Sequence, residues 1–117
     1  MKENLVRDKS YRFSLSIIGL YKLLVEKNEF VMSRQVLKSG TSIGANVEEA
    51  LAGQSRPDFL SKMSIASKEA RETLYWLRLL RDSNTLDSEQ LVDLIEESES
   101  LINILSSIVK TTAIKKA

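Results

Sequence analysis

At 117 residues the chain is long enough to bury an ordinary single-domain core without disulfide or metal staples, and 17 basic against 16 acidic residues leave a net charge of +1 that selects no polyionic partner. The absence of cysteine excludes a disulfide framework and thiol chemistry, and the absence of histidine removes the commonest general base and metal ligand. No apolar run approaches the roughly 18 residues of a membrane span and the opening MKENLVRDKS is too polar for a signal peptide, so a soluble, cytoplasmic protein is expected.

In chain order, Phe13, Ile17, Leu20, Tyr21 and Leu24 recur at helical spacing and predict a first helix over residues 8–27. Asn28 and Glu29 interrupt it. Ser33 is placed to cap a second helix over 34–52, and Gly53 suits the left-handed position that would end it. Ser55-Arg56-Pro57-Asp58 opens a third helix over 56–81. Ser55 caps, Pro57 fits the first turn, and Asp58 stands three residues on in a variant capping box. Asp82-Ser83-Asn84 closes that helix. For the fourth, over 88–113, Asp87 is the N-cap, Gln90 takes the N3 position, and Leu86 and Leu91 form a hydrophobic staple. Its apolar face is Leu91, Leu94, Ile95, Leu101, Ile102, Leu105 and Ile108, and Lys115-Lys116 reads as a frayed tail. Four helices of about 20 residues with short connections predict one all-α domain, residues 1–117, folded as an antiparallel up-down-up-down four-helix bundle.

Two of these helices carry polar residues where burial is expected. At about 100° per residue, Val36, Ile43, Val47 and Ala50 form the apolar stripe of the second helix. Turned by about 80–100° from it runs Gln35, Ser39, Ser42, Asn46 and Glu49. Small polar side chains beside an apolar seam predict hydrogen bonding between helices, with Asn46 and Glu49 largely buried and Lys62, Glu69 or Glu72 as partners. The third helix has a core stripe of Phe59, Met63, Ala66, Ala70, Leu74 and Leu77. Ile65, Trp76 and Leu79 point well away from it, with Tyr75 nearby. A helix apolar on two sides is buried on two sides, and in a four-helix domain the second burial is assigned to another subunit. Gly40 and Gly44, which cost roughly 1 kcal/mol each relative to Ala inside a helix, mark tight helix packing.

Catalytic and metal chemistry find little support. Glu49, Glu69 and Glu72 invite a carboxylate metal site, but the di-iron pattern needs Glu-x-x-His from two helices. Pairing with Lys38, Lys62 or Arg71 is the reading adopted, with no metal and no cofactor. Without His, Cys or a Gly-x-Ser-x-Gly elbow there is no nucleophilic triad, and phosphate loops and dinucleotide fingerprints are missing. The chain is not expected to be an enzyme.

The order Ser42-Ile43-x-x-Asn46-Val47-x-Glu49, then about ten residues, then Phe59-x-x-Lys62 is held by polar residues rather than by a generic apolar pattern. With Gln35, Ser39, Ala50, Ile65-Ala66, Ser67, Glu69-Ala70, Glu72-Thr73 and Leu77, it resembles the bacterial family called four helix bundle proteins, or 23S rRNA intervening-sequence proteins. The resemblance covers essentially the whole chain and is weakest after residue 85. It implies an antiparallel four-helix bundle that assembles into a ring-like homopentamer. A related branch, the accessory variability protein of diversity-generating retroelements, is a basic pentamer that binds nucleic acid and partners a reverse transcriptase. The net charge of +1 departs from that branch.

The leading functional expectation is a non-catalytic homo-oligomeric scaffold that binds RNA, DNA or a ribonucleoprotein partner weakly, with Ile65, Tyr75, Trp76 and Leu79 at the subunit interface. Residues 1–80 hold 13 basic and 9 acidic residues. Their cations Arg34, Lys38, Lys68, Arg71 and Arg78 are the expected nucleic-acid contacts. The alternative is a protein–protein interaction module, in which the seven acids between Asp82 and Glu99, uninterrupted by any base, meet a basic partner.

Overall fold

A computed structural model describes residues 2–115. Four helices occupy nearly all of them: α1 (Lys2–Glu26), α2 (Phe30–Ala52), α3 (Arg56–Asp82) and α4 (Ser88–Lys115). Each connection is three to five residues, too short for anything but antiparallel neighbours. α1 packs on α2 and α4, and α3 packs on α2 and α4, with the α1–α4 seam the sparsest. The result is an up-down-up-down bundle measuring 49 × 20 × 20 Å.

The core follows the 3.6-residue period of each helix. Phe13, Ile17 and Leu24 from α1 meet Val36, Ile43 and Val47 from α2, Met63, Ala70 and Leu77 from α3, and Leu91, Leu101 and Leu105 from α4, all fully buried. Phe59 and Leu74, placed on the α3 stripe by the sequence, are only half-buried. Serine and threonine enter this core because each can satisfy itself locally. Ser10, Ser33 and Ser98 bond the carbonyl three residues back, and Thr73 bonds Glu69 four back. Among the described residues no buried side-chain polar atom lacks a partner.

Several helix ends differ from expectation. α1 begins at Lys2 rather than residue 8, because Val6 and Ser10 continue the buried stripe one further turn and more toward the N-terminus. α2 begins at Phe30 rather than residue 34. Ser33 does not cap it but lies inside the first turn, buried, with its hydroxyl on the Phe30 carbonyl. Gly53 is extended (φ −65°, ψ 156°) rather than left-handed. At the other end of the molecule α4 is helical through Lys115, where a frayed tail was expected; Lys116 lies outside the described residues.

Left-handed geometry falls instead on two asparagines, Asn28 (φ 62°) and Asn84 (φ 59°). Each closes a Schellman motif. The Glu29 amide donates to the Leu24 carbonyl and the Asn28 amide to Val25, and Thr85 and Asn84 repeat the pattern on Leu80 and Arg81. Asparagine tolerates this conformation better than other residues with a Cβ. Asn84→Ala is therefore expected to lower unfolding free energy by about 1–2 kcal/mol, while Asn84→Gly leaves it unchanged or slightly raised; urea titration of both variants decides this.

The start signals of α3 and α4 are realised at Ser55 and Gln90. Ser55 Oγ accepts from the Asp58 amide at 3.2 Å, and Pro57 sits in the first turn of α3. The Asp87 amide donates to Gln90 Oε1 at 3.2 Å, the return half of a capping box, with Leu86 and Leu91 both buried beneath it.

Candidate functional site

Two contacts fix the register of α2 against α3. Ser39 and Thr73 are both fully buried, and their hydroxyls are hydrogen-bonded to each other at 3.0 Å. Near the far end of α2, Lys62 Nζ lies 3.0 Å from Glu49 Oε1. Antiparallel pairing between these points sets Asn46 level with Ile65, Ser42 with Glu69, and Gln35 with Trp76. The polar stripe of α2 and the outward apolar side of α3 therefore form one continuous surface. On that surface Ile65 is 38% exposed, Leu79 39% and Tyr75 51%, and Trp76 is half-buried.

Most of the polar stripe does not bridge helices as expected. Ser42 donates to the Lys38 carbonyl at 2.6 Å and Asn46 to the Ser42 carbonyl at 2.8 Å, both within α2. Asn46 is half-buried rather than largely buried, and Glu49 is exposed, its side chain at 58%. The physical reason is reach. A short side chain in a helix finds a carbonyl one turn back before it finds another helix. Of the seven residues assigned to an inter-helix network, Ser39, Glu49 and Lys62 make such a bond. Thr73, the buried partner of Ser39, was not anticipated as a partner; its position three residues after Ala70 on the core stripe was the available signal.

Glu69 and Glu72 lie between the apolar groups. Glu72 accepts from the Trp76 indole at 3.2 Å, which fixes the ring, and the Tyr75 and Trp76 rings meet edge to face at 5.2 Å. Partial burial raises the Glu69 carboxyl above its ordinary range, helped by the neighbouring Glu72 charge and opposed by Lys68 and Lys38. Lys62 is raised by its hydrogen bond and attraction to Glu49. A carboxyl raised in the folded state binds protons more tightly there than in the unfolded chain. Its favourable contribution is complete below the unfolded value and is lost as pH rises through the folded one. Glu69→Gln is accordingly expected to melt above the parent at pH 7, with the difference shrinking as both approach about pH 4.

The five expected nucleic-acid contacts do not share a face. Arg34 and Lys38, four residues apart, project from α2. Arg71 turns to α4 and donates to Ser106 Oγ at 3.1 Å. Arg78, seven residues on, follows the same side, and Lys68 is exposed between the two faces. Among the described residues no group of three or more acidic side chains is arranged to hold a metal ion, and no helix is long and apolar enough to cross a membrane.

Residues 2–107 match the family described as 23S rRNA-intervening sequence protein. A solved crystal structure, that of a protein of unknown function from the S23 ribosomal protein family of Bacteroides thetaiotaomicron VPI-5482, matches with a TM-score of 0.90 and 51% identity. The match covers 94% of this chain and 99% of that one. No curated protein matches the chain.

Proposed function

The chain belongs to the 23S rRNA-intervening sequence protein family, and from that premise we propose that it is a non-catalytic homo-oligomeric scaffold, a ring of five copies that binds polynucleotides weakly. The observation that carries this reading is the outer α2–α3 surface, where Ile65, Trp76 and Leu79 are presented beside Glu69 and Glu72. Such a surface is covered in an assembly rather than left to water.

A five-membered ring is head-to-tail, so this surface must meet a different one on the next subunit. α1 supplies a candidate. Tyr11, Leu15 and Ile18 recur at i, i+4 and i+7 and are 60%, 53% and 37% exposed. Lys22 flanks them and is complementary in sign to Glu69 and Glu72. Light scattering is expected to return about 66 kDa, five times 13.2 kDa. A stable monomer at micromolar concentration would refute the assembly.

For polynucleotides the expectation is weak, sequence-tolerant binding at about 50 mM salt that falls steeply as salt rises. A ring repeats each subunit's modest basic excess and adds avidity where one strand reaches several copies. Fluorescence anisotropy with a labelled single strand tests this. The absence of binding at 10 μM pentamer, about 50 mM salt, would leave the protein-interaction reading, in which the acidic N-terminal half of α4 meets a basic partner.

A further inference from the structure

We propose that the α3–α4 seam is a phosphate-binding groove that takes the phosphodiester backbone of a polynucleotide; this rests on the nucleic-acid part of the function proposed above and gives it a location. The groove is shallow and open, has a volume of about 320 Å³, and is lined by Ser64, Ser67 and Arg71 from α3 and by Ser106, Val109 and Lys110 from α4. Three hydroxyls, a guanidinium and an ammonium all donate hydrogen bonds, and no carboxylate lines the groove. That set of donors fits an oxyanion and repels none.

The cations are available. Among the described residues, the side-chain ion pairs Arg7–Asp8, Lys62–Glu49 and Arg81–Asp82 involve neither Arg71 nor Lys110. Arg71 donates to the neutral Ser106 hydroxyl, which orients the guanidinium along the seam and occupies one of its five N–H groups. The remaining fork has the geometry for bidentate contact with phosphate.

The chain's charge distribution explains why no acid intrudes. Every acid of α4 lies at or before Glu99, and residues 100–117 contain Lys110, Lys115 and Lys116 with no Asp or Glu. Antiparallel packing, fixed by the Arg71–Ser106 bond, lays this acid-free half of α4 against Ser64–Arg71. Glu99 is two turns away from Ser106, where its charge acts on Arg81. Lys68, four residues after Ser64, borders the groove on its outer side. Ser64 to Arg71 spans about 10 Å of helix axis. Arg34 and Lys38, on α2, take no part.

The test is anisotropy of a labelled single-stranded 20-mer at about 50 mM salt with three proteins. Relative to the parent, the Arg71→Gln/Lys110→Gln double variant is expected to bind at least tenfold more weakly. Its salt dependence should be shallower by about 1.4, two phosphates' worth for a single strand. The Arg34→Gln/Lys38→Gln variant should stay within twofold. If the double variant melts early, Ser106→Ala, which removes the group orienting Arg71, should still weaken binding three- to fivefold. Parent binding with the groove variants within twofold overturns the groove while the nucleic-acid reading stands. No binding by the parent overturns both. A second arm measures inorganic phosphate by equilibrium dialysis at matched ionic strength. Phosphate retained through Arg71 and Lys110 without any oligonucleotide binding overturns the polynucleotide assignment in favour of a free oxyanion.

Discussion

Leu79→Glu is expected to convert the proposed ring into folded monomers, lowering the light-scattering mass fivefold while far-UV circular dichroism keeps its helical amplitude. In the isolated subunit Leu79 is 39% exposed, so a carboxylate there is solvated at little cost to the bundle. Enclosed by a neighbour, an unpaired charge costs about 3–5 kcal/mol, which weakens each contact by about 10²–10⁴-fold. The new carboxylate also joins Glu69 and Glu72 on the same surface, adding like-charge repulsion. Trp76→Glu should act in the same direction, with some loss of helix stability because it removes the indole held by Glu72. Leu15→Glu on α1 should dissociate the ring equally if α1 is the receiving surface, whereas Val92→Glu, at a 46% exposed position on α4, should not. Assembly by both α3 variants would mean that the interface lies elsewhere.

Two glycine substitutions are expected to move stability in opposite directions although both replace a helical Gly by Ala. At Gly40 a Cβ would stand 2.7 Å from Ile17 Cγ1 and 2.8 Å from Cγ2. Ile17 is fully buried, and the whole branched end of its side chain faces the glycine, so it cannot turn aside cheaply. Overpacking of this kind costs about 1–3 kcal/mol and should outweigh the gain of roughly 1 kcal/mol in helix propensity. Gly19 is exposed on α1, and a Cβ added there would meet nothing within 4 Å. Gly19→Ala should therefore show the propensity gain alone, raising unfolding free energy by about 0.5–1 kcal/mol. Denaturant titration of the pair measures the α1–α2 approach directly, and a stabilising Gly40→Ala would show that the two helices are not held this closely.

How much of this was legible beforehand follows from the range over which each feature is determined. Helix content, the four core stripes and the Ser55 and Gln90 capping bonds depend on residues within one or two turns, and the linear pattern contains them. The Gly40–Gly44 spacing likewise declared a close approach, but not that Ile17, Ser10 and Ser14 of α1 fill it. Helical azimuth is local; the rotation and separation of two helices are not. For the same reason Ser39 and Asn46 looked equivalent on the wheel and turned out differently. Ser39 sits where α3 comes close enough to present Thr73, while Asn46 and Ser42 bond carbonyls of their own helix. Gly53 and the two asparagines show the limit at chain reversals, since which residue turns left-handed depended on where α1 and α3 could stop and still leave Glu29 and Thr85 able to reach back to Leu24 and Leu80. The division of the five basic residues between two faces was also beyond the linear pattern. It depends on α3 turning Arg71 toward Ser106, and only packing determines which side of a helix its neighbour occupies.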